Sequence, residues 1–148
     1  MRCIIKIIIC GPRNFNDYNI VKQAIIASGF KITEVVSGGA DGVDMLGVRW
    51  AKEQKIKVRI MEAKWKDLDA PHAEIAINKW EQKYNKNAGF QRNSEMVEYV
   101  SPKGGVIAII TGSHGTADTV KKAKAAGLKV FEFNPEDSRP SSDYDYIF

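Results

Sequence analysis

The sequence predicts a doubly wound α/β fold, a parallel sheet of about five strands covered by helices on both faces. Three observations predict it. Several short runs are almost continuously β-branched and apolar, as in CIIKIIIC at 3–10 and GVIAII at 105–110. Strands buried on both faces of a parallel sheet read this way. Stretches with apolar residues at helical spacing separate these runs, and glycine-bearing loops follow three of them. Strand and helix in alternation imply parallel strands joined by right-handed crossovers.

The elements follow in order. The first strand is Cys3 to Cys10 and ends at Gly11-Pro12. Residues 17–28 place Ile20, Val21, Ala24 and Ile25 on one helical face, with Gly29 as a stop. The second strand is Glu34 to Ser37, and a helix over 42–54 aligns Val43, Leu46 and Trp50. The third strand is Lys57 to Met61. The polar stretch that follows reads as a loop and then a short helix after Pro71, from about His72 to Lys83, with another helix from Arg92 to Val100. The fourth strand is Gly105 to Ile110, a helix runs from Gly115 to Ala126, and the fifth strand is Lys129 to Phe133. The expected organisation is one domain over 1–133, with an inserted helical segment at about 66–87. A loosely held tail over 134–148 is rich in Pro, Ser and Asp.

With 148 residues the chain has the size of one ordinary domain. Its net charge of +4 suits a phosphate-bearing ligand. The basic residues are scattered rather than gathered on one face, which argues against duplex binding. Cys3 and Cys10 lie on opposite faces of one expected strand and cannot pair there. No metal-ligand spacing exists, so neither a metal nor a cofactor is expected. Free thiols point to a reducing, cytoplasmic compartment. The first ten residues carry Lys6 and run straight into a turn, unlike a signal peptide, and no stretch is long enough to span a membrane.

Chemistry is expected in the loops at the carboxyl edge of the sheet, where open α/β sheets bind ligands. Gly11-Pro12-Arg13 follows the first strand, Ser37 to Gly42 (SGGADG) the second, and Thr111 to Thr116 (TGSHGT) the fourth. Glycine lets a backbone come close to a ligand, and the following helix start offers N–H donors and partial positive charge to an anion. A phosphate held between the second and fourth loops would meet Gly38, Gly39, Gly112 and Gly115, with hydroxyls from Ser37, Ser113 and Thr116. Arg13, just beyond a central strand, favours a ligand role. Neither GxxxxGK[ST] nor GxGxxG occurs, so the loops are no standard nucleotide motif. Glycines after strands also make plain turns, and Asp41 or Asp44 can simply cap the second helix. His114 and His72 read as surface residues, and Trp65 and Trp80 as packing residues with base stacking the alternative.

Read together, these segments resemble a known family. The motifs are Gly-Pro-Arg-x-Phe-x-Asp-Tyr at 11–18, Ser-Gly-Gly-Ala-Asp-Gly-Val-Asp at 37–44, then Trp50-Ala51 and Trp65. Ala-Gly-Phe-Gln-Arg-Asn-x-x-Met at 88–96 and Gly-Ser-His-Gly-Thr-Ala at 112–117 complete the order. The sequence is similar to the YspA-type branch of the SLOG superfamily, named for the DNA-processing protein DprA (Smf) and the cytokinin-activating LOG enzymes. The resemblance covers about residues 4–133. It implies a Rossmann-like fold of strand order 3-2-1-4-5 and a nucleotide site formed by Arg13, Gly38, Gly39, Asp44, Arg92, Asn93, Gly112, Ser113, Gly115 and Thr116. Arg92 would fork onto a phosphate and Asn93 would bond a sugar or base edge. The LOG enzymes carry Pro-Gly-Gly-x-Gly-Thr-x-x-Glu with a catalytic Glu. Here Thr119 stands at that position and Asp118 lies one residue early.

The leading functional expectation is a module that senses or handles a nucleotide or nucleotide-derived phosphate ligand. Two alternatives belong to other classes. One is an N-glycosidic phosphoribohydrolase acting on nucleoside monophosphates, with Asp44 or Asp118 as its carboxylate. The other is DprA-like binding of single-stranded DNA, with Trp80 and Tyr84 as a stacking pair. The inserted segment could cover the site or mediate a homo-oligomer.

Overall fold

The computed structural model describes residues 4–69 and 73–138. Its main sheet has five strands: β1 (Lys6–Cys10), β2 (Glu34–Ser37), β3 (Lys57–Ile60), β6 (Gly105–Ile109) and β7 (Lys129–Phe133). All neighbours are parallel, in the order β3-β2-β1-β6-β7. This is the expected 3-2-1-4-5 arrangement, with two further short strands, β4 (Ile75–Ile77) and β5 (Lys83–Asn85), numbered in between. The first strand begins at Lys6 rather than Cys3, which lies outside the described residues.

Strand alternation divides the core into two. Ile7, Ile9, Val35, Ile107 and Ile109 face one side, where α1 (Tyr18–Ser28) and α2 (Val43–Glu53) bring Val21, Ala24, Ile25, Val43 and Ala51. Ile8, Cys10, Val36, Val106 and Ala108 face the other, where α3 (Ala88–Val100) and α4 (His114–Ala125) bring Met96, Val97, Val100, Val120 and Ala123. Because β1, β2 and β6 are covered on both faces, they need apolar residues at successive positions, and their sequences supply them. The chain winds outward from β1 along one face and returns through α3 on the other. Strand order therefore reverses between β1 and β6, whose paired residues include Ile8 with Val106 and Cys10 with Ala108. The loops leaving these two strands stand side by side at the switch point.

The expected helix over 72–83 is not present. Ile75–Ile77 (β4) and Lys83–Asn85 (β5) form an antiparallel hairpin, while Pro71 and His72 lie outside the described residues. The turn explains the difference. The Asn78 side chain accepts from the backbone N–H groups of Trp80 (2.9 Å) and Gln82 (3.0 Å). An Asn that bonds its own following backbone competes directly with a helix. The Ile-Ala-Ile alternation is itself a strand signal. α3 then starts at Ala88, ahead of the expected Arg92. Of the expected loose tail, Pro135–Ser138 form a 3-10 turn and residues 139–148 lie outside the described residues. Among the described residues no helix is long and apolar enough to cross a membrane.

Candidate functional site

A cavity of about 600 Å³ opens at the switch point. Loop one supplies Gly11, Pro12, Arg13 and Asn14. The start of α3 supplies Gly89 and Phe90, with Arg92, Asn93 and Met96 further along. Loop four and the start of α4 supply Thr111, Gly112, Ser113, Gly115 and Thr116. Cys10, Ala40, Asp44, Trp65, Lys86 and Thr119 complete the walls.

Two helix N-termini therefore meet at one cavity. The first i→i−4 bond of α4 is Ala117 N–H to Ser113 O, and Ser113 makes no side-chain cap. The first such bond of α3 is Gln91 N–H to Asn87 O. The amides of Gly89, Phe90, Gly115 and Thr116 precede these bonds and have no acceptor within their helices. Helix starts of this kind attract anions. At Gly115 the space is open, and a β-carbon would meet nothing within 4 Å.

Arg92 is the best-positioned cation. Its Nη1 donates to the carbonyl of Gly38 (2.7 Å) and its Nε to Asn93 Oδ1 (3.1 Å). Asn93 is buried and in turn donates to Gly115 O (3.3 Å) and Asp118 Oδ2 (3.1 Å). Asp118 also pairs with Lys122 at 2.7 Å. A continuous chain from Lys122 through Asp118 and Asn93 thus fixes the guanidinium. Burial lowers the Arg92 pKa, with Asp44 opposing that shift and Arg13 adding to it. Arg13 is exposed, lines the same cavity, and stands over the Trp65 ring at 5.9 Å.

Loop two behaves differently from expectation. The amide of Ala40 donates to Asp44 Oδ2 at 3.4 Å, and that of Gly38 also bonds the Asp44 carboxylate. The amide of Gly39 donates to Ser37 Oγ at 3.1 Å. The anion held by this loop is the chain's own Asp44. Ser37 is fully buried, and its hydroxyl donates to the carbonyl of Asp44, so it does not line the cavity. Gly38 is a glycine because a β-carbon there would lie 2.6 Å from Arg92 Cζ and 2.8 Å from Asp44 Oδ2. The missing side chain makes room for Arg92, not for a ligand. Gly38 and Gly39 line a second recess that adjoins the cavity and shares Arg13, Ala40, Trp65 and Arg92 with it.

Asp44 does face the main cavity, and its pKa is raised to about 6. Burial is the largest cause, opposed by Arg92, the amides of Ala40 and Gly38, and Arg13. Capping of α2 by Asp44 is not seen, since the N-cap is Gly42 with no side-chain cap. Burial also raises the pKa of the Cys10 thiol, which lines the cavity floor.

Of the sequence-derived ligand residues, Gly11, Arg13, Asp44, Arg92, Asn93, Gly112, Ser113, Gly115 and Thr116 line one cavity, whereas Ser37, Gly38 and Gly39 do not. Asn93 has both amide hydrogens committed within the protein, so its main task is to hold Arg92 and α4. Asp118 is outside the lining, while Thr119 is within it. Trp65, expected to pack with base stacking as the alternative, packs edge-on to Tyr84 at 6.5 Å and also forms a wall of the cavity. The signal for it was Gly89, whose β-carbon would lie 3.1 Å from the indole. Tyr84 is thereby engaged at the base of the hairpin, and Trp80 stands exposed at the turn with Lys79 over its ring.

The fold and this edge define a Rossmann-like domain with a cavity at its switch point. Residues 5–68 match the model of the YspA, cpYpsA-related SLOG family. That match bears out, over those residues, the resemblance to the YspA-type branch of the SLOG superfamily. Among solved structures, DNA processing protein A (DprA) from Streptococcus pneumoniae superposes with a TM-score of 0.63 at 19% identity, over 87% of this chain and 50% of that one. The chain thus spans half the length of that protein. A structural-genomics target, TM1055, superposes with a TM-score of 0.51 at 20% identity, over 86% of this chain and 72% of that one. At these identities the likeness is one of fold. No curated protein matches the sequence.

Proposed function

We propose that the protein binds a nucleotide or nucleotide-derived phosphate ligand in the switch-point cavity, as a sensing or handling module. One observation carries this reading: the amide-bearing starts of α3 and α4 and the guanidinium groups of Arg13 and Arg92 line the same cavity. The phosphate sits against Gly112 to Thr116 and Gly89-Phe90, with its charge neutralised by the two arginines. Loop two is excluded from the phosphate, because Asp44 already occupies its amides. Trp65, Phe90 and Met96 supply apolar surface for the nucleoside, in the usual manner of small-molecule sites.

The hydrolase alternative is the weaker reading. Asp118 is held by Asn93 and Lys122, and Thr119 offers only a hydroxyl already donated to Gly115 O at 3.2 Å. The single-stranded DNA alternative rests on the fold shared with DNA processing protein A and on the exposed Trp80.

Calorimetric titration with AMP and ADP tests the proposal. Arg92→Ala should weaken binding about thirtyfold, the typical weight of a charge-assisted hydrogen-bonding group. Arg92→Lys keeps the charge without the fork and should fall between the two. Unchanged affinity in Arg92→Ala would remove this guanidinium from the site.

A further inference from the structure

We propose that the switch-point cavity takes up a proton together with its anionic ligand, and that Asp44 is the group that receives it. The inference rests on the binding reading above and adds a regulation of that same site by pH.

Asp44 is buried and lines the cavity that the ligand fills. Its carboxylate is held by neutral donors, the amides of Gly38 and Ala40. Among the described residues it forms no salt bridge. Its charge is balanced at longer range by Arg92 and Arg13. Arg92 stands across Gly38 from it, where one added β-carbon would lie 2.6 Å from Arg92 Cζ and 2.8 Å from Asp44 Oδ2. Both arginines line the same cavity. A phosphate and Asp44 therefore draw on the same two positive charges, and each repels the other. A like charge roughly 7 Å away, at an effective dielectric of about 20, alters an equilibrium by about tenfold or more.

Protonation removes the conflict. A neutral carboxyl keeps an oxygen for the loop amides and gains an O–H donor for a phosphate oxygen. In the free protein burial, opposed by the arginines, raises the Asp44 pKa to about 6. A bound anion raises it further. Below the free value the ligand meets a neutral Asp44 and binds with full affinity. As pH rises above it, the ligand has to bring a proton in, and affinity falls until the value of the complex is passed.

The other groups around Asp44 are placed differently. The Cys10 thiol faces it from β1, and burial raises its pKa, so it stays neutral. Lys86 lines the cavity and pairs with Glu74. Glu95 acts on Arg92 within α3, while Asp41 and Glu62 line the adjoining recess rather than the cavity. His114 begins α4 outside the cavity lining. Histidine ordinarily titrates in the same range, so this residue is the control.

Calorimetric titration with ADP at pH 7, in buffers of different ionisation enthalpy, counts the protons exchanged. The wild type should take up protons on binding, Asp44→Asn should not, and His114→Gln should keep the uptake. Relative to Asp44→Asn, which still reports any titration of ADP itself, wild-type affinity should fall about tenfold from pH 5.5 to pH 8.5. Equal uptake in the wild type and Asp44→Asn, or its loss in His114→Gln, overturns this inference and leaves the nucleotide reading standing. Carbon NMR of the Asp44 carboxyl gives a second readout on the wild type alone. Its titration midpoint should lie at about 6 and move upward with ADP. A midpoint unmoved by saturating ADP overturns the inference even where the variants do not fold. Absence of ADP binding by the wild type at every pH overturns both readings.

Discussion

Replacing Gly42 with alanine is expected to lower stability by roughly 3–5 kcal/mol, the sum of backbone strain and a steric clash with backbone. Gly42 has φ 78° and ψ −132°, a conformation that residues with side chains avoid. A β-carbon there would also run into the carbonyl oxygen of Pro12 and lie 2.5 Å from that of Arg13. Both obstacles belong to loop one and cannot swing aside as a side chain can. The close approach has a purpose, since the amide of Val43 donates to Pro12 O at 3.3 Å. That bond fixes loop one, and with it Arg13, against the start of α2. A loss of this size is a large part of the roughly 5–15 kcal/mol that holds a typical domain together. Urea denaturation measures it, with Gly115→Ala as a control. Position 115 lies in a helix with open space around it, so alanine there should leave the midpoint unchanged or raise it slightly. Equal midpoints for Gly42→Ala and wild type would show that loop one is not locked in this way.

Asp44→Asn is expected to stabilise the fold at pH 8 by up to about 3 kcal/mol and to have little effect at pH 4. The direction follows from the carboxyl's raised pKa of about 6 in the folded chain. In the unfolded chain it titrates near the ordinary aspartate value of about 4. Between these values the folded state holds the extra proton, so this group's contribution to stability falls as pH rises from about 4 to about 6. Above the folded value the full penalty of a buried carboxylate is present. Asparagine resembles the protonated acid and keeps an acceptor for the amides of Ala40 and Gly38, so it removes the pH dependence. The attraction of Arg92 and Arg13 opposes the shift and is already contained in that value. Denaturation midpoints measured from pH 4 to 8 check the point. A variant less stable than wild type at pH 8 would mean that the attraction to Arg92 outweighs burial.

Much of the fold was legible because its causes are local. β1, β2 and β6 are apolar at successive positions since helices cover both of their faces, and that pattern is visible in the sequence. α1 declares itself through Asp17, whose side chain accepts from the amide of Ile20. The hairpin was not legible as such. Its turn depends on the side chain of one asparagine, and polar residues after Pro71 also fit a helix. The site was legible at the level of loops and misread in detail at loop two. Nothing in the SGGADGVD segment reveals that Gly38 clears space for Arg92, more than fifty positions away, or that Asp44 fills its own loop's amides. Those are tertiary facts. The same holds for Trp65, whose place on the cavity wall depends on the gap left at Gly89.

The proposed placement puts a phosphate-bearing ligand on the starts of α3 and α4 and not on loop two. Amide-resolved NMR titration with ADP tests it most directly. Shifts concentrated at Gly89, Phe90 and Gly112 to Thr116, with Gly38 to Ala40 nearly still, are the predicted result. Shifts centred on Gly38 to Ala40 with loop four unmoved, or no shift at millimolar ADP, would contradict it.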